Sequence, residues 1–150
     1  RVGEAQEFID QYFATYPGVR TFIDETKERA RRDGWVETML GRRRLLPDIL
    51  SQNNRVRSFQ ERIAVNTPIQ GTAADLIKLA MLRLDAALRE ADSPAMLLLQ
   101  VHDELVLELP EAELPAVSDL VVGSMEQALE LTVPLVVDMH HGRDWQQAHG

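Results

Sequence analysis

An α+β fold is expected for this chain, with an antiparallel sheet covered on one face by helices. Three observations predict it. The periodic segments run in the order helix, helix, hairpin, helix, long helix, hairpin, helix, strand. The stretch MLLLQVHDELVLELP, residues 96–110, holds two apolar runs of strand length around a polar tip. In the second run Leu105, Leu107 and Leu109 alternate with Glu104, Val106 and Glu108, the pattern of a half-buried strand with its core on the leucine side. The first run is apolar throughout and does not identify its buried face.

The elements follow in chain order. Ala5, Phe8, Ile9, Tyr12, Phe13 and Tyr16 keep helical spacing, and Pro17-Gly18 stops the run. Val19, Phe22, Ile23, Thr26 and Ala30 predict a second helix ending at Asp33-Gly34. The segment WVETMLGRRRLLP reads as a hairpin turning near Leu40-Gly41, and residues 47–54 as a loop. A helix over 55–65 would bury Val56, Phe59 and Ile63. Arg55, Arg62 and Asn66 are seven and four positions apart, so at ~100° per residue they fall within roughly 40° of one another, a polar stripe along one helix edge.

A long helix is then expected from Thr67, with Thr67 as N-cap, Pro68 at the first helical position and Gln70 completing a capping box. Ile69, Ala73, Leu76, Ile77, Ala80, Leu84 and Leu88 form its apolar stripe, and the small run Gly71-Thr72-Ala73-Ala74 permits a close approach. After the 96–110 hairpin, residues 113–131 read as an amphipathic helix and VPLVVDM as a last strand.

Composition narrows the function classes. The chain has no cysteine, which excludes disulfides and thiolate metal sites. No apolar run approaches membrane-spanning length, so no membrane partner is expected. The chain starts at Arg1 without a methionine and in mid-helix pattern, and is expected to be a piece of something longer. Net charge is −8, yet its distribution is uneven. Between Lys27 and Arg62 there are ten Lys/Arg against five Asp/Glu, and from Leu79 onward three against thirteen. The basic segment suits phosphates, or is simply a solvated face; composition leaves both open.

The chemistry centres on His102-Asp103-Glu104. A polar hairpin tip is the bland reading. The other is a carboxylate held at the end of a rigid ribbon to grip Mg²⁺, which takes one or two carboxylates and fills its remaining positions with water and substrate phosphates. His140, His141 and His149 show no metal-ligand spacing and read as surface or strand-end residues, and Asp138 and Asp144 are not expected to be ligands. There is no Gly-rich phosphate loop and no serine nucleophile elbow. Arg42-Arg43-Arg44 reads as a solvated turn.

The stretches RVRSFQERIAVNTPIQGTAADLIKLAM, LLLQVHDELVLE and VPLVVDMHHGRDWQQAH, together with YPGV and GWVETMLGRRRLLPDI, resemble the C-terminal part of bacterial family A DNA polymerases. The resemblance runs along essentially the whole chain. It implies a right-hand polymerase, with residues 1–56 forming the rear of the fingers, a mainly helical segment, and residues 57–150 the C-terminal part of the palm with its VHDE hairpin. It further implies that Asp103 is one of two aspartates holding a catalytic pair of Mg²⁺ ions, and that Glu104 is a nearby, less essential carboxylate. By the same resemblance His102 lies against the primer end, and Arg62, Asn66 and Gln70 contact primer–template DNA. The partners so implied are primer–template DNA, deoxynucleoside triphosphates and the remainder of the polymerase upstream of Arg1, in the cytoplasm. That remainder would hold the other metal aspartate, the nucleotide-binding lysine and arginine, the mobile fingers helix and the thumb. Two rivals stand beside this reading: a non-catalytic nucleic-acid-binding or interaction module, and a metal phosphohydrolase using a His-Asp pair.

Overall fold

The computed structural model describes residues 2–149; the side chains of Val2 and His149 lie outside that description, and with them the expectation for His149. Backbone contacts divide the chain into two compact units, residues 1–72 and 73–150.

The first unit opens with helix α1, Val2–Thr15, and helix α2, Pro17–Asp33. Pro17 stops the first helix as expected, and it also starts the second, where its missing N–H and preset φ cost nothing. Helix α2 ends at Gly34, whose φ of 77° lets its N–H bond back to the Ala30 carbonyl at 2.9 Å. Strands β1, Trp35–Glu37, and β2, Arg43–Leu45, pair antiparallel, with Trp35 opposite Leu45. Gly41, at φ 81°, supplies the turn between them.

Helix α3, Asn54–Asn66, is capped by Asn53, whose side chain accepts from the N–H groups of Arg55 and Val56. Ala30, Val36, Leu46, Ile49 and Ala64 form the core of this unit, with Ile63 packed against it. Glu61 ties the helices together by accepting from Arg31 at 2.7 Å, with Lys27 and Arg57 each 3.9 Å away. Phe59 departs from the expectation of burial: it is 54% exposed, while Ala64 is fully buried in the core and Ile63 packs against it.

The chain does not restart at Thr67. A single π-helical turn, Thr67–Gly71, joins α3 to helix α4, Thr72–Glu90. Thr67 is therefore not an N-cap. It is helical at φ −60°, and its hydroxyl donates to the Ile63 carbonyl at 2.7 Å, so the capping box with Gln70 does not form. Pro68 explains the wide turn. It has no N–H for the Ala64 carbonyl and its ring crowds that carbonyl, and one turn of larger radius relieves both.

The second unit places α4 and helix α5, Leu114–Glu126, against one face of the hairpin of strands β3, Met96–Val101, and β4, Glu104–Glu108. Leu84, Leu88, Val117 and Val121 are buried, and Leu97, Leu105, Leu107 and Leu109 pack against them from the hairpin. The leucine face of β4 is thus the core face. In β3, Leu97 is the inward residue, and the register shifts between Leu97 and Leu99, a bulge that leaves Leu98 and Leu99 exposed.

Two expectations are corrected here. The helix over 113–131 ends at Glu126, and Ala128 is buried beyond its end, so the apolar period ran on past the helix. The segment 133–139 is not a strand. It keeps alternating exposure, with Leu135 and Val137 half-buried and Val136 76% exposed, but it joins no ladder. The Val137 N–H donates instead to the Glu126 carboxylate at 3.2 Å. A short helix α6, Trp145–His149, follows.

Candidate functional site

The hairpin tip is a two-residue turn. Val101 pairs with Glu104, leaving His102 and Asp103 between the strands. His102 takes φ = 53°, a left-handed conformation that costs most side chains but that histidine, like asparagine and aspartate, tolerates better than most. The Gln100 side chain donates to the His102 carbonyl and supports the turn. His102, Asp103 and Glu104 are all exposed. Leu105 and Leu107 hold the base of β4 in the core, so the carboxylates sit at the free end of an anchored ribbon. Glu104 opens β4 and Asp103 sits in the tight turn directly before it, so both are carried by strands, which place a site more accurately than a long loop would.

Asp103 and Glu104 offer hard oxygen donors of the kind Mg²⁺ takes, in the number Mg²⁺ takes from protein. Among the described residues no group of three or more histidine, aspartate or glutamate side chains converges. The pair fits the one or two carboxylates that Mg²⁺ usually takes from a protein.

The remaining predicted residues lie in the first unit. Arg62 is exposed on α3, with its guanidinium 5.9 Å from the centre of the Phe59 ring. Asn66 closes α3 and Gln70 lies in the π turn, and both are exposed. The structure thus keeps Arg62, Asn66 and Gln70 along one helical run, and holds His102, Asp103 and Glu104 together at one tip. Phe59 joins the edge of Arg62 and was not anticipated there. Its spacing, three residues before an arginine on a polar stripe, was the available signal, since exposed aromatics beside arginines suit bases and sugars.

Several arginines of the basic segment are engaged within the unit. Arg31 and Arg57 share Glu61, Arg32 binds the neighbouring Asp33, and Arg43 stacks over the Trp35 ring at 4.1 Å and reaches Glu37 at 3.6 Å. The Arg32 hydrogen bond holds the Asp33 carboxyl below its ordinary range. Arg42 donates to the Gly71 carbonyl at 3.0 Å, so it is a structural contact as well as a turn residue. Among the described residues no helix is long and apolar enough to cross a membrane.

Known proteins resemble this chain in sequence and fold. The family DNA polymerase family A matches residues 1–147. The chain is 55% identical to DNA polymerase I of Geobacillus stearothermophilus over 145 residues, 97% of this chain and 17% of that protein. It is 50% identical to DNA polymerase I of Mycobacterium bovis, over 97% of this chain and 16% of that protein. The chain therefore spans about one sixth of the length of these curated relatives. Among solved structures, the POL domain of Pol1 from M. smegmatis, in complex with DNA primer-template and dNTP, matches all of this chain and 26% of that one, at 44% identity and a TM-score of 0.97. By the family match over nearly its whole length, this chain belongs to DNA polymerase family A.

Proposed function

We propose that this chain is the C-terminal portion of a DNA-directed DNA polymerase, which transfers nucleotides from deoxynucleoside triphosphates to a primer 3′-hydroxyl under the direction of a template. Residues 1–56 serve as the rear of the fingers and residues 57–150 as the C-terminal part of the palm. The remainder of the enzyme lies upstream of Arg1, and it works in the cytoplasm, on the nucleoid when bound to DNA. The observation that carries this reading is the family match together with exposed carboxylates at the tip of a core-anchored hairpin.

Asp103 is the metal-holding and catalytic aspartate, and Glu104 is a neighbouring carboxylate that tunes the same site. Two Mg²⁺ ions supply, when bound, Lewis acidity toward the primer hydroxyl and the departing pyrophosphate. The chain's own task is placement. The leucine-packed base of β4 fixes the direction of the tip, and the exposure of Asp103 leaves it open to water and phosphate oxygens. His102 lies against the primer end. Arg62, Asn66 and Gln70 hold the primer–template, Arg62 by charge and the two amides by hydrogen bonds to sugar, phosphate or base edges.

The test is Asp103→Asn in the full-length polymerase. This substitution keeps the shape and removes the charge. Nucleotide incorporation is expected to fall by at least about 100-fold, the scale seen when one preorganised electrostatic group is lost, while primer–template affinity stays within about threefold. Full retention of incorporation would overturn the catalytic role and favour a non-catalytic DNA-binding module.

A further inference from the structure

We propose that Thr72 is a positioning residue for Gln70: its hydroxyl, seated beside Gly71, pins the π turn that sets the direction of the Gln70 side chain. This rests on the reading of Gln70 as a primer–template contact.

A π turn is rarer and less favourable than the α-helix around it, and it persists where neighbouring groups hold it. Here the neighbours are specific. The Thr72 hydroxyl donates back to the Pro68 carbonyl, inside the turn. The same oxygen accepts the Met39 N–H at 2.9 Å, from the tip of the β1–β2 hairpin. One buried hydroxyl, on a residue 7% exposed, therefore joins the wide turn to the hairpin. Gly71 allows the approach. A Cβ there would meet Thr38 Cγ2 at 2.6 Å, and Thr38 is a buried β-branched residue with little room to yield. Arg42 completes the join by donating to the Gly71 carbonyl at 3.0 Å.

The consequence falls on Gln70. In an α-helix a step of four residues advances the side chain by roughly 40° around the axis. A turn holding about one more residue rotates less per residue, so it changes the direction in which Gln70 points relative to Asn66. Thr72 itself is buried and offers no surface to DNA, so it acts through Gln70.

The experiment uses the full-length polymerase with Thr72→Val, Thr72→Ser, Gln70→Ala and the Thr72→Val/Gln70→Ala pair. Primer–template dissociation constants, kcat and the thermal midpoint are measured for each. Thr72→Val is expected to raise the dissociation constant roughly three- to tenfold, the scale of one polar contact. Thr72→Ser restores the affinity, and Thr72→Val adds nothing once Gln70 is alanine. Gly71→Ala, which pushes on Thr38, is the second route to the same outcome if Thr72→Val does not fold. If Gln70→Ala weakens binding and Thr72→Val does not, or if the two losses multiply, the positioning role is overturned while the DNA contact stands. If Gln70→Ala leaves affinity unchanged, the DNA contact itself falls, and this inference falls with it.

Discussion

His102 occupies a backbone conformation that costs an ordinary side chain about 1–2 kcal/mol, and its φ of 53° is held by the two-residue turn. A hairpin selected only for turning would place glycine or asparagine there. In the full polymerase, His102→Gly is therefore expected to keep or raise the thermal midpoint while lowering the rate of primer extension. A midpoint that falls together with activity would make the imidazole structural. Arg62 is expected to act by charge. Arg62→Ala should weaken primer–template binding for all sequences alike and reduce the slope of log affinity against log salt by about one; an unchanged slope would remove the phosphate role. At this scale the tip was legible, because a short polar break between strand-length apolar runs has few other outcomes. The state of Thr67 was not. Thr-Pro-x-Gln satisfies the local rules for a helix start, and only the uninterrupted helical path from α3 turned Thr67 into an interior residue.

Each strand and helix draws its stability from the face it buries. Leu84 is fully buried on α4, packed with Leu88, Val117, Val121 and the leucines of the hairpin. Leu84→Ala should cost about 2–5 kcal/mol, the range for a large-to-small change in a packed core, read from denaturant unfolding. A loss below about 1 kcal/mol would mean that the site collapses around the alanine. Because the same leucines anchor the base of β4, this variant should also lower incorporation near its own melting temperature. Helix α1 shows the opposite case. Its apolar spacing was legible, yet Phe8 is 71% exposed and Tyr12 and Tyr16 are exposed too. Periodicity reports which residues share a face of a helix, and says nothing of what covers that face. The segment 133–139 fails as a strand for a related reason: a strand is defined by its partner, and β3 and β4 pair only with each other.

For the whole molecule the question is how much of a polymerase 150 residues contain. Primer extension needs two metal ions fixed in octahedral geometry and a triphosphate held in line. On the proposed reading this chain brings Asp103 and Glu104 to the metals, and among its described residues no third carboxylate or histidine joins them. A polypeptide of these residues alone, given Mg²⁺, primer–template and all four deoxynucleoside triphosphates, is therefore expected to show no incorporation above an Asp103→Ala control. Incorporation above that control would show that two carboxylates suffice. The matched relatives are about six times as long as this chain.

What the sequence determined by itself was everything that depends on neighbours in the chain. Helix α2 starts at Pro17 and stops at Gly34, Gly41 turns the first hairpin, and β4 alternates leucine with Glu104, Val106 and Glu108, all through local rules of φ, ψ and side-chain period. The family was legible too, since its motifs are long continuous stretches. The tertiary structure decided what distant residues control. It decided that Pro68 sits inside a helix, because the Met39 N–H and the Thr72 hydroxyl support a wide turn there. It decided that Phe59 stays exposed while Ala64 and Ile63 pack into the core. It decided that Leu97, among the apolar residues of β3, is the one that packs inward, since a bulge after it resets the register. Hydrogen-bond partners and core neighbours come from far along the chain, and no local pattern contains them.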